Sequence, residues 1–315
     1  MSNIPESNNP HYLVLRIIFI CAAVVFILLA FNPLTSFYAD VFSSLRIQML
    51  IAALMCGGAL MLLKLYKLSA VVILLCALGL GPILVSFPVT SPVNSEALSI
   101  KQINVNYSNK YLSTHLLSLR DENWDVLILQ EFSDKNRHLL TQFITTTDMF
   151  GYEEVEGIPY GMVVLSRIPM VYKQQVKLDG DKLGYLKLKF MVGNTVLTTF
   201  IAHPPSPRSK RHWQNRNTLL AALKLSTQNE KGAWLVAGDL NVVPWSSYFE
   251  WQQAQTCFGQ HRYSSFMPFK KGHSILTGLP IDHCVMSEQV LLQSLVVTDF
   301  KGSDHKMLSY KISLK

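Results

Sequence analysis

The sequence predicts an α/β fold over residues 98–315, preceded over residues 1–90 by three transmembrane α-helices. Three observations carry that reading. The first 95 residues hold only Arg16, Arg46, Lys64 and Lys67 against Glu6 and Asp40, while the remainder carries 24 basic and 19 acidic residues. The poorly charged part contains three apolar stretches of membrane-crossing length. From residue 98 onward, short apolar runs alternate with turn residues and two helix-like stretches, the pattern of a mixed α/β domain.

The apolar stretches cover about residues 12–31, 47–63 and 68–87, the first interrupted by Arg16 and the other two free of charge. A helix needs about 20 such residues to cross the hydrocarbon, slightly fewer when flanking side chains reach outward. A cleaved signal peptide would explain one stretch only, and three core helices of such uniform composition would be unusual. Lys and Arg are retained on the cytoplasmic side. Lys64 and Lys67 sit between the second and third spans and Arg16 near the start of the first, so the amino terminus is expected inside. The carboxy-terminal domain is then expected outside, as in a multi-pass protein of a bacterial inner membrane with an extracytoplasmic catalytic domain. Arg46, beside Asp40 on the outer side, runs against this orientation. The stretch Pro88 to Ser95, with two prolines and two serines, marks a linker, assigned to 91–97, that would hold the soluble domain close to the bilayer. Cys21, Cys56 and Cys76 lie in the spans; Cys257 and Cys284 lie in the soluble part, where they permit one disulfide and demand none. There is no Cys-x-x-Cys, and no structural zinc site is expected.

In the soluble part the clearest strands are Leu98 to Val105, Val126 to Leu129, Met162 to Leu165, Val196 to Ala202 and Trp234 to Ala237. Asn109 to Leu119 and Arg208 to Leu225 read as amphipathic helices, the second with Leu219, Leu220 and Leu223 at helical spacing and a basic opposite face. No internal repeat is visible. Ligands of α/β sheets gather at strand ends and in the loops beyond them. That is where the polar residues fall: Asn104 with Asn106, then Glu131, His203, and Asp239 with Asn241.

Taken singly, each polar tag has a plain structural reading. Leu-Gln-Glu at 129–131 could be a strand end with a solvated carboxylate, Gly-Asp-Leu-Asn at 238–241 a turn, and Ser-Asp-His at 303–305 a helix cap or strand start. Their joint order changes this. The series Ile-Asn-Val-Asn (103–106), Leu-Gln-Glu (129–131), Leu-Ser-Arg (165–167), Ala-His-Pro-Pro (202–205), Gly-Asp-Leu-Asn (238–241), Ile-Asp-His (281–283) and Ser-Asp-His (303–305) resembles the endonuclease/exonuclease/phosphatase superfamily over about residues 98–315. With its preceding spans, the chain looks like a bacterial membrane-anchored branch of that family. The resemblance implies a four-layer α/β/β/α sandwich and a metal-dependent phosphoesterase.

A phosphodiester repels an incoming hydroxide, so hydrolysis calls for a hard cation to neutralise the phosphoryl oxygens and stabilise the leaving oxygen. Mg²⁺ suits one or two carboxylates and water, and Mn²⁺ can use the same ligands. Glu131 is the expected direct ligand, with the Asn104 amide oxygen beside it and Asp304 opposite. The resemblance implies that Asp239 orients or deprotonates the attacking water and that Asn241 donates to a phosphate oxygen. It implies that His305 contacts the phosphate or shuttles a proton, and that Asp282 fixes its tautomer and favours imidazolium. His203 matches a second histidine that protonates the leaving group; the alternative is a loop histidine that orders Pro204 and Pro205. Two positions depart from the family pattern: His283 stands where many members carry arginine, and Asn106 where several carry aspartate. Arg167 either positions phosphate or is structural. Arg208 and Arg211 open a basic stretch, with Lys210, His212, Trp213 and Arg216, that reads either as a polyanion contact or as a solvated helix face.

The surplus of five positive charges on residues 96–315 suits nucleic acid and anionic lipid headgroups alike. A short tether favours the second, because it raises the effective concentration of lipid phosphates. The expected partners are therefore the lipid bilayer and a phosphate-ester substrate, whether lipid headgroup, nucleic acid or small molecule, with no protein partner. Two rival classes stand beside the enzyme: a catalytically silent binding module of the same fold, and a transporter. Charge-free second and third spans offer a solute no pathway, which weighs against the transporter.

Overall fold

The computed structural model describes residues 10–32, 34–86, 97–144, 147–151, 161–178, 183–268 and 274–315. The linker expected from Pro88 to Ser95 lies outside the described residues. The chain divides into two compact units, Met1–Ser86 with Trp245–Ser247, and Phe87–Pro244 with Tyr248–Lys315.

The first unit is helical: α1 (Pro10–Ala30), α2 (Phe37–Ser44), α3 (Arg46–Leu62) and α4 (Tyr66–Leu84). Of these, α1 and α4 are each long and apolar enough to cross a membrane. The expected second span at 47–63 is α3, which has 17 residues and meets α2 at a bend of 70°; the two make a third candidate only if the bent pair is one span. Ala23, Ala30, Leu50, Ala53, Leu60 and Cys76 form the packed interior. The charge inside the first apolar stretch is accommodated because Arg16 Nη2 donates to the Leu63 carbonyl at 2.9 Å.

The second unit is mixed α/β. Its strands are β1 (Leu98–Asn104), β2 (Val126–Gln130), β3 (Asp148–Gly151), β4 (Val163–Ser166), β5 (Met170–Leu178), β6 (Leu183–Val192), β7 (Thr195–Ala202), β8 (Ala233–Asp239), β9 (Gln255–Thr256), β10 (Asp282–Met286), β11 (Val290–Asp299) and β12 (Lys306–Leu314). They form two six-stranded sheets, ordered β11-β12-β1-β2-β4-β3 and β5-β6-β7-β8-β10-β9. Each sheet has one parallel pair at its centre, β1 with β2 and β7 with β8, flanked by antiparallel strands. A parallel pair needs a crossover. Here the crossovers carry α5 (Leu112–Asp121) and α6 (Lys210–Asn229).

Strand alternation assigns the two faces of each sheet. Ile103, Val105, Leu127 and Leu129 pack with Leu112, Leu116 and Leu119 of α5. Phe200, Ala202 and Val236 pack with Leu219, Leu220 and Leu223 of α6. The helix expected from Asn109 begins only at Leu112, because Asn109 closes the preceding loop: its Nδ2 donates to the Val105 and Lys301 carbonyls at 3.0 and 3.1 Å, and its Oδ1 accepts from Tyr111 N at 2.8 Å. Cys257 and Cys284 are joined by a disulfide with Cα atoms 5.4 Å apart, tying the start of a short helical turn to β10.

Candidate active site

The parallel pairs aim their carboxyl ends at one edge, and the antiparallel neighbours start there. Asn104 closes β1, Glu131 follows β2, His203 follows β7 and Asp239 closes β8. Asp282 opens β10 in register with Asp239, and His305 immediately precedes β12. The Asn104 Nδ2 donates to Glu131 Oε1 at 3.0 Å and to Asp239 Oδ2 at 3.1 Å, joining residues from both sheets. His203 Nε2 lies 3.8 Å from Glu131 Oε1 and 3.7 Å from Asp239 Oδ2. His305 Nε2 lies 3.6 Å from the same Asp239 oxygen, and its Nδ1 is 2.8 Å from Asp282 Oδ2. Asp304 Oδ1 accepts from Asn106 Nδ2 at 3.0 Å, and Asn241 N donates to Asp239 Oδ1 at 3.0 Å.

Backbone conformation concentrates the polar groups further. Among the described residues four non-glycines have positive φ, and three of them are Asn106 (64°), Glu131 (53°) and Asn241 (51°). The left-handed region costs an ordinary residue roughly 1 kcal/mol, so its recurrence at one edge marks a constraint other than stability. At Glu131 the reason is visible. Successive strand residues face opposite ways, yet Gln130 and Glu131 both reach residues of the second sheet. The left-handed turn at Glu131 breaks the alternation and returns its carboxylate to the edge.

Burial makes the electrostatics strong. Asp239 is pushed up to about 7, first by desolvation and then by the neighbouring Asp282. Desolvation pulls against ionised Asp282 as well, but the charge and hydrogen bond of His305 hold it below the usual carboxylate range. For His305 burial alone would favour the neutral ring; attraction to Asp282 and Asp239 and the bond to Asp282 outweigh it and raise the group to about 10. It is therefore an imidazolium at neutral pH. His203 goes the other way, to about 4, because desolvation exceeds its attraction to Glu131 and because His305 repels a second positive charge. Two histidines at one edge thus differ in charge, His203 neutral and His305 positive.

The oxygen donors at this edge suit a hard cation: Glu131 and Asp304 offer carboxylates, and Asn104 an amide. The crowding that raises Asp239 is what a divalent ion would relieve. Asp239, Asp282 and His305 also offer atoms within 4.8 Å of one another, although two of these three are already committed to each other. Asn104 turns its nitrogen, not the expected oxygen, to the carboxylates, and Oδ1 accepts from Asn106 N at 3.1 Å. Ligation through that oxygen requires the amide to turn over.

Several expected residues lie away from this cluster or are held differently than the sequence suggested. Arg167 is at the other end of the sheet, where its guanidinium donates to the Arg120, Glu122 and Trp124 carbonyls and stacks over the Trp124 ring. Its guanidinium is committed to these carbonyls, away from the edge that gathers the other candidates. The basic stretch is split: Trp213 and Arg216 are buried, and Arg216 Nη1 donates to the Asn241 carbonyl at 3.0 Å. Arg208 and Arg211 are exposed, and Arg208 is close enough to lower His203. The Asn241 side chain donates to the Pro204 carbonyl at 3.0 Å, which ties the two motif loops together. His203 is buried, its Nδ1 lacks a hydrogen-bond partner among the described residues, and desolvation favours its neutral form. His283 does not replace the family's arginine at the edge. It is fully buried, its Nε2 sits 2.7 Å from the Val242 carbonyl, and desolvation lowers it to about 4.

Motif reading missed the segment that supports the His305–Asp282 pair. Ser265 Oγ accepts from Ile281 N and Asp282 N at 3.1 and 2.9 Å, and the Tyr263 hydroxyl donates to the Asp282 carbonyl at 2.8 Å. Met267 N donates to the Asp304 carbonyl and Lys306 N to the Ser265 carbonyl, both at 2.7 Å. No spacing signal in the sequence marks Tyr263 or Ser265. Ser303 was signalled as part of Ser-Asp-His, and its hydroxyl donates to the Asn104 carbonyl while accepting from His305 N. A separate groove of about 580 Å³, lined by Lys187, Lys189 and Val196 among others, lies toward the opposite end of β7 and contains none of these residues.

Crowded carboxylates beside one fixed imidazolium, on oxygen donors suited to a hard cation, are a setting for chemistry on phosphate esters. The chain belongs to the Endonuclease/Exonuclease/phosphatase family, whose model matches residues 102–305, more than half of its length. Members of that family are hydrolases acting on phosphate esters. The fold is similar to that of an endonuclease/exonuclease/phosphatase from Beutenbergia cavernae DSM 12333, with 17% identity and a TM-score of 0.54, covering 69% of this chain and 72% of that one. It is similar also to D. rerio TDP2 complexed with single strand DNA product (14%, TM-score 0.54, 70% and 100% covered). A third similar structure is the human Nocturnin catalytic domain with bound sulfate anion (16%, TM-score 0.52, 73% and 97% covered). No curated protein matches the sequence.

Proposed function

We propose that this protein is a membrane-anchored, metal-dependent phosphoesterase that hydrolyses its substrate by water attack at the edge shared by the two sheets. The observation that carries the reading is the meeting of Asn104, Glu131, His203, Asp239, Asp282 and His305 within hydrogen-bond or near-contact distance, from six separate strands or strand ends. Glu131 and Asp304, with Asn104 once its amide has turned over, would hold Mg²⁺ or Mn²⁺. When bound, the ion neutralises the phosphoryl oxygens and stabilises the leaving oxygen.

The chain's own groups do the rest. Asp239, ionised, takes the proton of the attacking water, a task suited to a carboxylate whose proton affinity burial has raised toward neutrality. His305 presents Nε2–H to a phosphate oxygen while Asp282 holds Nδ1–H and keeps the ring charged. Asn241 and Arg208 line the approach, the first held by Pro204 and the second exposed beside His203. A four-layer arrangement, with α5 and α6 outside and the two sheets between, accounts for the packing of each helix on one sheet face.

The membrane part of the reading rests on α1, α4 and the bent α2–α3 pair crossing the bilayer. The Cys257–Cys284 disulfide supports an extracytoplasmic placement, since such bonds persist in oxidising compartments. A domain so tethered meets lipid phosphates first, and a phospholipid headgroup ester is the proposed substrate. The test is a panel with the full-length protein in detergent and Mg²⁺: anionic phospholipid in mixed micelles against single-stranded DNA. Faster cleavage of phospholipid is expected; cleavage of DNA alone would make the protein a nuclease.

A further inference from the structure

Two buried glutamines cross from the first sheet to the second beside this site, and the mechanism uses neither. Gln102 on β1 is 1% exposed and Gln130 on β2 is fully buried. Alternation along β1 puts Gln102 on the same face as Asn104, and register pairs Asn104 with Gln130. All three therefore look toward the second sheet. Gln130 is engaged at both ends of its amide: Nε2 donates to the Ala202 carbonyl at 2.7 Å, and Oε1 accepts from Asp239 N at 2.8 Å. Ala202 and Asp239 end β7 and β8. One side chain thus sets the spacing of the strand ends that carry His203 and Asp239, and fixes both to the backbone that carries Glu131.

Gln102 makes one such bond across the sheets, one strand over, and one within its own sheet, since Tyr310 lies on β12. Its Nε2 donates to the His283 carbonyl at 3.1 Å, next to Asp282, and its Oε1 accepts from the Tyr310 hydroxyl at 3.0 Å. The close approach at Gln130 depends on Gly238, whose φ is +134°; a Cβ there would stand 2.2 Å from the Ala202 oxygen and 2.6 Å from Gln130 Nε2. Apolar side chains pack two sheets without preferred direction, so a small slip between sheets meets little resistance. Hydrogen bonds have fixed lengths and directions, and in a dry interior a broken one is not replaced by water.

We propose that Gln130, seconded by Gln102, is a positioning residue: an inter-sheet clamp that holds Asp239 and His203 of the second sheet in register with Glu131 and Asn104 of the first. The inference rests on the phosphoesterase reading, and neither glutamine touches substrate.

The test uses the full-length protein in detergent with bis-p-nitrophenyl phosphate and Mg²⁺. Gln130→Met keeps the volume and loses both bonds. A slip of the order of 1 Å is expected to lower kcat about 10- to 100-fold with KM within about twofold. Leu223→Val, in the α6 core away from the edge, is the control for lost stability and is expected to keep wild-type kcat. Gln102→Met is expected to show the same kcat-selective loss, smaller than that of Gln130→Met, and decides the matter if Gln130→Met does not fold. A folded Gln130→Met, or failing that Gln102→Met, with wild-type kcat overturns the clamp. Absence of turnover by the wild type would instead sink the phosphoesterase reading beneath it.

Discussion

Glu131 and Asp304, which the first sheet supplies, keep part of their side chains in solvent, whereas Asp239 and Asp282, from the second, are each 1% exposed. On the proposed reading, the difference separates two tasks that carboxylates would perform in one site. Partly hydrated carboxylates can take up a cation that retains some of its own water. Buried ones interact strongly with neighbouring charge and so control protons, as the raised Asp239 and lowered Asp282 illustrate. His305, positioned by the first sheet and bonded to Asp282 of the second, joins the halves.

If the halves are divided in this way, substitutions in each should fail differently. Asp239→Asn keeps the shape but removes the base, and kcat on bis-p-nitrophenyl phosphate is expected to fall by about 10³- to 10⁴-fold with metal dependence retained. Glu131→Gln, in the other half, is expected to raise the Mg²⁺ concentration for half-maximal rate at least about tenfold, with a smaller loss at saturating metal. Equal loss of kcat with unchanged metal dependence in both variants would erase the distinction.

The pH profile sharpens the buried half. The rate is expected to rise with pH as Asp239 loses its proton, over a range below about 7 once bound metal relieves its crowding, and to fall at high pH as His305 loses its own; the midpoints belong to the coupled group as a whole. Stability should show the linked signs. Asp239 and His305 both have folded values raised above their ordinary 3.8 and 6.5, so each contribution is present at low pH and lost as pH rises. The melting temperature of protein stripped of metal is therefore expected to drop as pH rises from about 6.5 to 10, first with Asp239 and then with His305. Below about 6.5 His203 and His283, both lowered from 6.5 to about 4, together outweigh Asp239, so stability there rises with pH. A melting temperature that climbs between pH 7 and 10 would contradict the assignment of His305 as a stabilised imidazolium.

The smallest effect is expected furthest from the edge. Arg167→Ala strips three carbonyls of their donor and should cost about 1–3 kcal/mol in denaturant unfolding. Its kcat should stay at the wild-type value, as a residue at the opposite end of β2 requires.

What the sequence made legible follows from how each residue acts. Asn104, Glu131, His203 and Asp239 were readable because an apolar strand that ends on a carboxylate, amide or imidazole leaves a mark in one dimension; Asp282 and His305 stand at strand starts and were readable only through the tags Ile-Asp-His and Ser-Asp-His. The roles of Arg167 and Arg216 were not, because a cation that donates to buried carbonyls looks the same in a sequence as one that waits for phosphate. The charge states of His203 and His305 depend on which carboxylates burial places against them. Tyr263 and Ser265 act through backbone groups of Ile281 and Asp282, and such bonds leave no periodicity. The long apolar helices were visible from composition alone, but the 70° bend between α2 and α3 was not.

The central claim is tested most directly by phosphate-ester turnover of the purified full-length protein in Mg²⁺, in Mn²⁺ and in EDTA. Hydrolysis is expected with either cation, to vanish in EDTA and to return when metal is restored. Turnover indifferent to EDTA, or none on bis-p-nitrophenyl phosphate, single-stranded DNA and anionic phospholipid alike, would contradict it.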